Sequence, residues 1–387
     1  MMMNQKDNVH ILILSHSYPT KYHPFSGIFW KEQAHYFTNT GNKVSALAIV
    51  PISIKSYFKR RVLKERVPFF HQRIQESVVT FPNIPFLHFM VSYLVLWRGK
   101  SLIQSYIHKN GKPDVIHLHR FEAGLLALYI KKRFNIPVVF TEHSSRFLYH
   151  QLTLKEQKIA KKVFIGVDYR IAVSPVLSAQ LKTDYNLEFH YVPNTVDIEE
   201  FKPNNGKSKE ESFTFFTAGN LGENKNHSDL IDAFHAFQID VPHSQLIIAG
   251  DGPLNEFLSA KIKKFELEKK VFLVGQLPRA ELIEWMNKSH VAVVSSKKET
   301  FSVVIIEALS CGLPVVSTKC GGPESIITSE YLGELVDITT IGLLNGMKKV
   351  HTNYEHYSPQ EIVKFVEENY SESVILSRVL AVYRNLL

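Results

Sequence analysis

The sequence predicts an α/β protein built from two doubly wound, Rossmann-like domains facing a cleft. Three observations carry that expectation. At 387 residues the chain is long for one hydrophobic core. Short apolar runs of buried-strand type recur along it, each followed by a polar loop and a helix-permissive stretch, which is the pattern of a parallel sheet made from βαβ units. The charge also divides near the middle: residues 1–190 hold 26 Lys and Arg against 11 Asp and Glu, a net +15, whereas residues 191–387 hold 19 against 26, a net −7.

Composition narrows the class further. With 45% hydrophobic and 21% charged residues and no biased tract, the chain reads as an ordinary globular protein, neither disordered nor fibrous. Two cysteines, Cys311 and Cys320, make no disulfide framework and fit a reducing compartment. The first eight residues lack the apolar core of a signal peptide and lead straight into a strand, so a cytoplasmic protein is expected. The basic first half suits an anionic surface, membrane or nucleic acid. No recognition-helix, RRM or zinc pattern accompanies it, which sets nucleic acid aside.

In the first half, Val9–Ser15 and Val44–Val50 read as strands joined through a helix. The loop after the first runs from His16 to Phe29 and contains Gly27 just before the helix; such a Gly serves as a turn residue or lets backbone approach a phosphate. Lys55, Lys59, Arg60, Arg61, Lys64 and Arg66 cluster beside Tyr57 and Phe58, and the apolar run 84–97 follows. That run has 14 residues, too few to span a bilayer; it reads either as a core helix or as an interfacial helix at an anionic inner membrane face. Strands over 114–119 and 138–142 deliver His119 and His143 to the crevice side, and another ends at Ser174-Pro175. The polar stretch 193–212 is the expected linker.

In the second half, Phe213–Gly219 is a strand whose loop carries Asn220 and Lys225 before a helix from about Ser228. A Lys there can neutralise a diphosphate leaving group, though a solvated Lys is the commoner meaning. Gln245–Ala249 and Val271–Val274 are strands, the second turning at Gly275. Val291–Val294 is the next, followed by a loop holding Glu299, Phe301 and Ser302, a helix over 303–310 with Glu307, the stop Gly312-Leu313-Pro314, and a strand from Val315. Ser302 is the expected N-cap, with the free N–H groups of the first helical turn as a phosphate site. Helices close the chain over 356–387.

Glu299-(seven residues)-Glu307 followed by Ala308-Leu309-Ser310-Cys311-Gly312-Leu313-Pro314-Val315-Val316 resembles the signature of family 4 retaining glycosyltransferases of the GT-B fold. The resemblance extends over nearly the whole chain. Tyr18–Gln33 looks like the family's first loop, Asp114-x-x-His117-x-His119 and Thr141-x-His143 like its histidine stretches, Pro193-Asn194-Thr195-Val196-Asp197 like its Pro-Asn-Gly-Val-Asp, and Gly250-Asp251-Gly252-Pro253 falls in order. Three positions depart from it: Ser144 and Thr195 stand where the family has Gly, and Asn220 where it has Arg.

The resemblance implies a metal-independent hexosyl transfer with no cofactor, from a nucleotide-sugar donor to a glycan or lipid-linked acceptor in surface polysaccharide synthesis. Lys225 and the helix start at Ser302 would meet the diphosphate, with Gly27 facing it. Glu299 would orient the sugar, Glu307 would hold ribose, the turn at Gly275 would meet the base, and His119 would lie at the reacting sugar with His143 near it. Double displacement needs two carboxyls at about 5 Å; the sequence offers no such pair. The resemblance implies the family's same-face attack, in which the departing diphosphate helps take the acceptor proton. The last helix, from about 370, should return to domain 1–195, leaving 196–369 as the donor domain. The alternative readings are a nucleotide-sugar epimerase of GT-B build and a catalytically inactive nucleotide-sugar-binding subunit.

Overall fold

A computed structural model of the chain describes residues 8–19, 27–53, 74–83, 88–204 and 209–387. Two compact units emerge, Met1–Val192 together with Leu376–Leu387, and Pro193–Ile375.

The first unit runs β1 (His10–Ser15), α1 (Ile28–Asn39), β2 (Lys43–Ser53), β3 (Gln75–Asn83), α2 (His88–Asn110), β4 (Val115–His119), α3 (Gly124–Phe134), β5 (Val138–Glu142), α4 (Leu154–Gly166), β6 (Tyr169–Ala172), α5 (Pro175–Tyr185) and β7 (His190–Tyr191). Its parallel sheet has the order β3-β2-β1-β4-β5-β6-β7. The apolar strand runs are continuous because helices cover both faces: β1, β4 and β5 are buried at every position. Register brings the strand ends level, with Ser15 opposite His119 and His119 opposite Thr141. Helix starts follow local chemistry. Thr153 and Glu156 form a capping box on α4, and the Ser174 hydroxyl accepts the N–H of Leu177 with Pro175 at the first turn of α5.

The second unit runs β8 (Phe213–Ala218), α6 (His227–Asp240), β9 (Ser244–Ala249), α7 (Asn255–Lys264), β10 (Val271–Gly275), α8 (Arg279–Lys288), β11 (Val291–Val294), α9 (Val303–Ser310), β12 (Val315–Thr318), β13 (Gly333–Val336), α10 (Thr340–Thr352) and α11 (Pro359–Tyr370). Its parallel sheet has the order β10-β9-β8-β11-β12-β13. Its core gathers Phe215, Phe234, Phe237, Leu246, Val293 and Met347. The last helix, α12 (Glu372–Leu386), places Leu376, Val379, Leu380 and Tyr383 in the core of the first unit beside Val9, Ile11 and Phe37.

Two stretches differ from the sequence reading. β3 pairs with β2 over nine residues, Ser45 with Gln75 through Ser53 with Asn83. Its mixed polar and apolar residues suit an edge strand and hid it from a search for buried runs. The apolar run expected over 84–97 belongs to a longer helix, α2, which continues to Asn110. Along α2, Val91, Val95 and Ile103 face the core while Met90, Tyr93 and Trp97 are 37, 54 and 67% exposed. Residues 84–87 and the basic cluster from Lys55 to Arg66 lie outside the described residues. Among the described residues no helix is long and apolar enough to cross a membrane.

Candidate active site

In a doubly wound sheet the crevice for a ligand opens beyond the carboxyl ends of the strands where the strand order reverses. In the second unit that point lies between β8 and β11. The loop after β8 ends in a short turn, Glu223–Lys225, with Asn226 left-handed before α6. The loop after β11 holds Glu299, whose backbone bridges Gly321: its N–H donates to the Cys320 carbonyl at 2.8 Å and its carbonyl accepts from Gly322 N at 2.9 Å. The two loops meet. Lys225 Nζ lies 2.6 Å from Glu299 Oε1, which also accepts the Ser296 hydroxyl at 2.7 Å. Ser295 donates to the Lys225 carbonyl at 2.7 Å, and Asn224 Nδ2 donates to the Lys298 carbonyl at 2.9 Å.

Ser302 does occupy the N-cap position of α9, but its hydroxyl does not cap. Its backbone is left-handed, φ 80° and ψ 78°, which turns the side chain from the helix N–H groups, and the hydroxyl is buried with no partner among the described residues. A non-glycine residue held there stores strain of the kind that collects at functional sites. The Phe301 ring is 1% exposed and packs on Tyr370 at 5.9 Å, which leaves its backbone as the part able to face a ligand. Glu307, half-buried on α9, lies near enough to Cys311 to add to the upward push that burial gives that thiol, which reaches about 12. Both cysteines are free and buried.

Asn220 is exposed, and its Nδ2 donates to the Asp251 carbonyl at 3.0 Å, tying the β8 and β9 loops together. Gly250 backs onto this loop: its φ is 146°, and a Cβ there would collide with the Gly219 carbonyl oxygen. Gly275, φ 74°, ends β10 with open space where a side chain would stand. Burial, assisted by Lys225, pushes His227 down to about 4.

In the first unit the order reverses between β1 and β4. His119 ends β4 at 1% exposure, its Nδ1 3.2 Å from His143 Nε2, with Trp30 stacked on its ring at 5.0 Å. Burial holds His119 far below the usual imidazole range, so it is neutral at pH 7, and its Nε2 has no partner among the described residues. Gly27 starts α1 with φ 73°, where a Cβ would collide with the Trp30 indole. His117 is anchored between Thr141 and Tyr383 of α12.

Sequence reasoning missed a charged cluster beside these histidines. His16 Nδ1 lies 3.8 Å from Glu122; Arg120 pairs with Glu122 at 3.0 Å, and Arg146 reaches Glu122 at 3.6 Å and Glu156 at 2.7 Å. Burial alone would raise Glu122, but its cationic neighbours outweigh it and hold the carboxyl below its usual range. At neutral pH Arg120 and Arg146 supply that charge, since burial drives His16 down to about 4. Glu142 is driven the other way, to about 8, by burial and by Glu122. Arg120 has φ 67° and ψ 139°, so each switch point carries a strained non-glycine residue. The rule that singled out His119, a polar residue just past a buried strand, would also have found Arg120 and Glu122; nothing in the sequence marks Trp30.

Two family models match the chain, glycosyl transferases group 1 over residues 197–359 and glycosyltransferase family 4 over residues 32–200. The chain belongs to glycosyltransferase family 4. This family 4 glycosyltransferase is 26% identical over 283 residues to the phosphatidylinositol N-acetylglucosaminyltransferase gpi3 subunit of Schizosaccharomyces pombe, covering 70% of this chain and 61% of that protein. It is 27% identical over 278 residues to the UDP-Gal:alpha-D-GlcNAc-diphosphoundecaprenol alpha-1,3-galactosyltransferase of Escherichia coli, covering 65% and 70%. The match thus spans about two thirds of the length of these curated relatives. Among solved structures it resembles sucrose-phosphate synthase of Thermosynechococcus elongatus, with a TM-score of 0.78 at 17% identity over 97% of this chain and 99% of that one. Anabaena HepE in complex with UDP-glucose gives a TM-score of 0.71 at 18% identity, over 97% and 99%. The fold is GT-B, two doubly wound α/β units.

Proposed function

We propose that this glycosyltransferase moves a sugar from a UDP- or GDP-sugar to a glycan or lipid-linked acceptor, with retention of anomeric configuration and without a metal. One observation carries the reading: the Lys225–Glu299 pair stands at the switch point of the second sheet, beside the start of α9 and a buried, unpartnered Ser302 hydroxyl. An anion arriving there finds an ammonium and the N–H groups of a helix start, which together stabilise a diphosphate as it gains charge. Glu299, released by Lys225 to a sugar hydroxyl, orients the ring; Glu307 takes the ribose diol; the open backbone at Gly275 leaves room for a base. Within the first unit, His119, neutral and with a ring nitrogen that has no partner among the described residues, is the group that would touch a sugar hydroxyl. The HepE complex with UDP-glucose and the diphosphoundecaprenol-linked acceptor in the name of the E. coli relative support the donor and acceptor classes.

The acceptor class also gives the exposed aromatic stripe of α2 a use. Met90, Tyr93 and Trp97 follow the spacing of one helix face, with Arg98 over the Trp97 ring at 5.0 Å and Lys100 nearby. In this reading the first unit rests on an anionic membrane face through that stripe, at the cytoplasmic side where nucleotide sugars are found.

The test is a thermal-shift titration with UDP, GDP and their sugars, followed by transfer and NMR of the product anomer. Ligand-dependent stabilisation, product of unchanged anomeric configuration and activity insensitive to EDTA are expected. Inverted product, or a requirement for a divalent cation, would overturn the mechanism. Free sugar formed with no transfer to any acceptor would favour a hydrolytic or epimerising enzyme.

A further inference from the structure

Glu142 ends β5 with none of its surface exposed. Its Oε1 accepts two successive backbone N–H groups, from His143 and from Ser144, each at 2.9 Å, while Oε2 is buried without a partner among the described residues. The residue whose N–H it grips is the one whose imidazole meets His119 at 3.2 Å, and the far side of His119 is closed by Trp30. His119 therefore has one ring nitrogen held by His143 and one without a partner among the described residues, and which way that one points depends on where the His143 backbone is pinned.

We propose that Glu142 is a positioning residue for transfer, one whose buried carboxyl locks the 143–144 backbone and so aims His143 at His119. This rests on the reading above that His119 touches the reacting sugar. A buried polar group with a structural job is expected to be hydrogen-bonded on every side; Glu142 is bonded on one oxygen only, which leaves the other to carry its proton. The carboxyl, driven up by burial and by Glu122, stays neutral at pH 7. A neutral carboxyl and a primary amide offer the same acceptor oxygen, so Glu142→Gln should do the work of the native residue and Glu142→Ala should not.

Two readouts test this, one of them independent of catalysis. With 15N-labelled histidine, the ring-nitrogen resonances of His119 and His143 should move in Glu142→Ala and match the native protein in Glu142→Gln. His235, stacked on Phe265 in the second unit, should stay in place in both and serve as the control. In the transfer assay, Glu142→Ala should lower kcat by about tenfold to a hundredfold with the donor KM nearly unchanged, the scale of a misplaced reacting group, and Glu142→Gln should restore it. Should Glu142→Ala fail to fold, Glu142→Asp, a methylene shorter, takes its place with the same expectation. Unmoved His119 and His143 resonances in the Ala or Asp variant, or a Gln variant as impaired as the Ala one, would overturn the proposal. A native protein that turns over no nucleotide sugar would instead count against the reading of His119, and the resonances would still decide whether Glu142 sets the pair.

Discussion

Lys225 and Glu299, 74 residues apart in the chain, form an ion pair at 2.6 Å that joins the loops after β8 and β11. The pair is part-buried, and Glu299 has a second donor in Ser296, so the carboxylate keeps a partner when the ammonium turns to a phosphate. Replacing Lys225 with Ala should reduce turnover at saturating donor by about a hundredfold, the usual loss when one charge-stabilising donor is removed, with little change in melting temperature. Unchanged kcat would remove Lys225 from the leaving-group site.

Glu307 stands on α9, one helix beyond the pair. Glu307→Gln should weaken nucleotide affinity by about tenfold, one charge-assisted hydrogen bond to a hydroxyl, while kcat at saturation changes little. Calorimetry giving equal affinity would show that the ribose is held elsewhere.

Gly250 has no room for a side chain, with φ 146° and the Gly219 carbonyl in the way. Gly250→Ala should destabilise this unit by about 2 kcal/mol or more, about 4 °C or more in Tm. The same change at Gly275, with open space around it but φ 74°, should cost about 1 kcal/mol from the backbone alone. Equal Tm values for the two variants would refute this ranking.

Burial pushes His16 down to about 4, His117 to about 3 and His227 to about 4. Each binds a proton in the unfolded chain near pH 6.5 but not yet in the folded one, so stability is lost as pH falls from about 6.5 towards 4. The slope is about 1.4 kcal/mol per pH unit for each histidine in that window. Melting temperature should therefore drop steeply on acidification between pH 6.5 and 4, and His227→Asn should make the drop shallower. A parallel profile would mean that His227 does not contribute.

Trp97 and Tyr93 are exposed, so replacing both with Ala should leave Tm unchanged. Binding to vesicles of anionic phospholipid should fall by about tenfold or more, each ring supplying about 1 kcal/mol at an interface. Equal sedimentation of native and variant protein would discard the stripe as a membrane contact.

The fold was legible because both sheets are buried on both faces. Runs such as Ile11–Leu14 and Val291–Val294 admit few other readings, and the edge strands β3, β7 and β13 escaped for the opposite reason. The site was legible one residue at a time and not as a constellation. His119 and His143 could be placed at strand ends, but their mutual bond depends on β4 and β5 being neighbours in register. Lys225 and Glu299 were each assigned a task of their own; that they hold each other follows only from β8 lying next to β11. Ser302 misled because residue preference at an N-cap presumes an extended backbone, and the loop delivers a left-handed one.

The placing of α12 bears on how the protein is made. Leu376, Val379, Leu380 and Tyr383 fill the core of a unit whose other residues are synthesised first, and Tyr383 closes the polar anchor of His117 across 266 positions. A chain made only as far as Ile375 thus holds every residue of the second unit while the first still lacks part of its interior. His117 gains its Tyr383 partner only from residues made after the whole of the second unit.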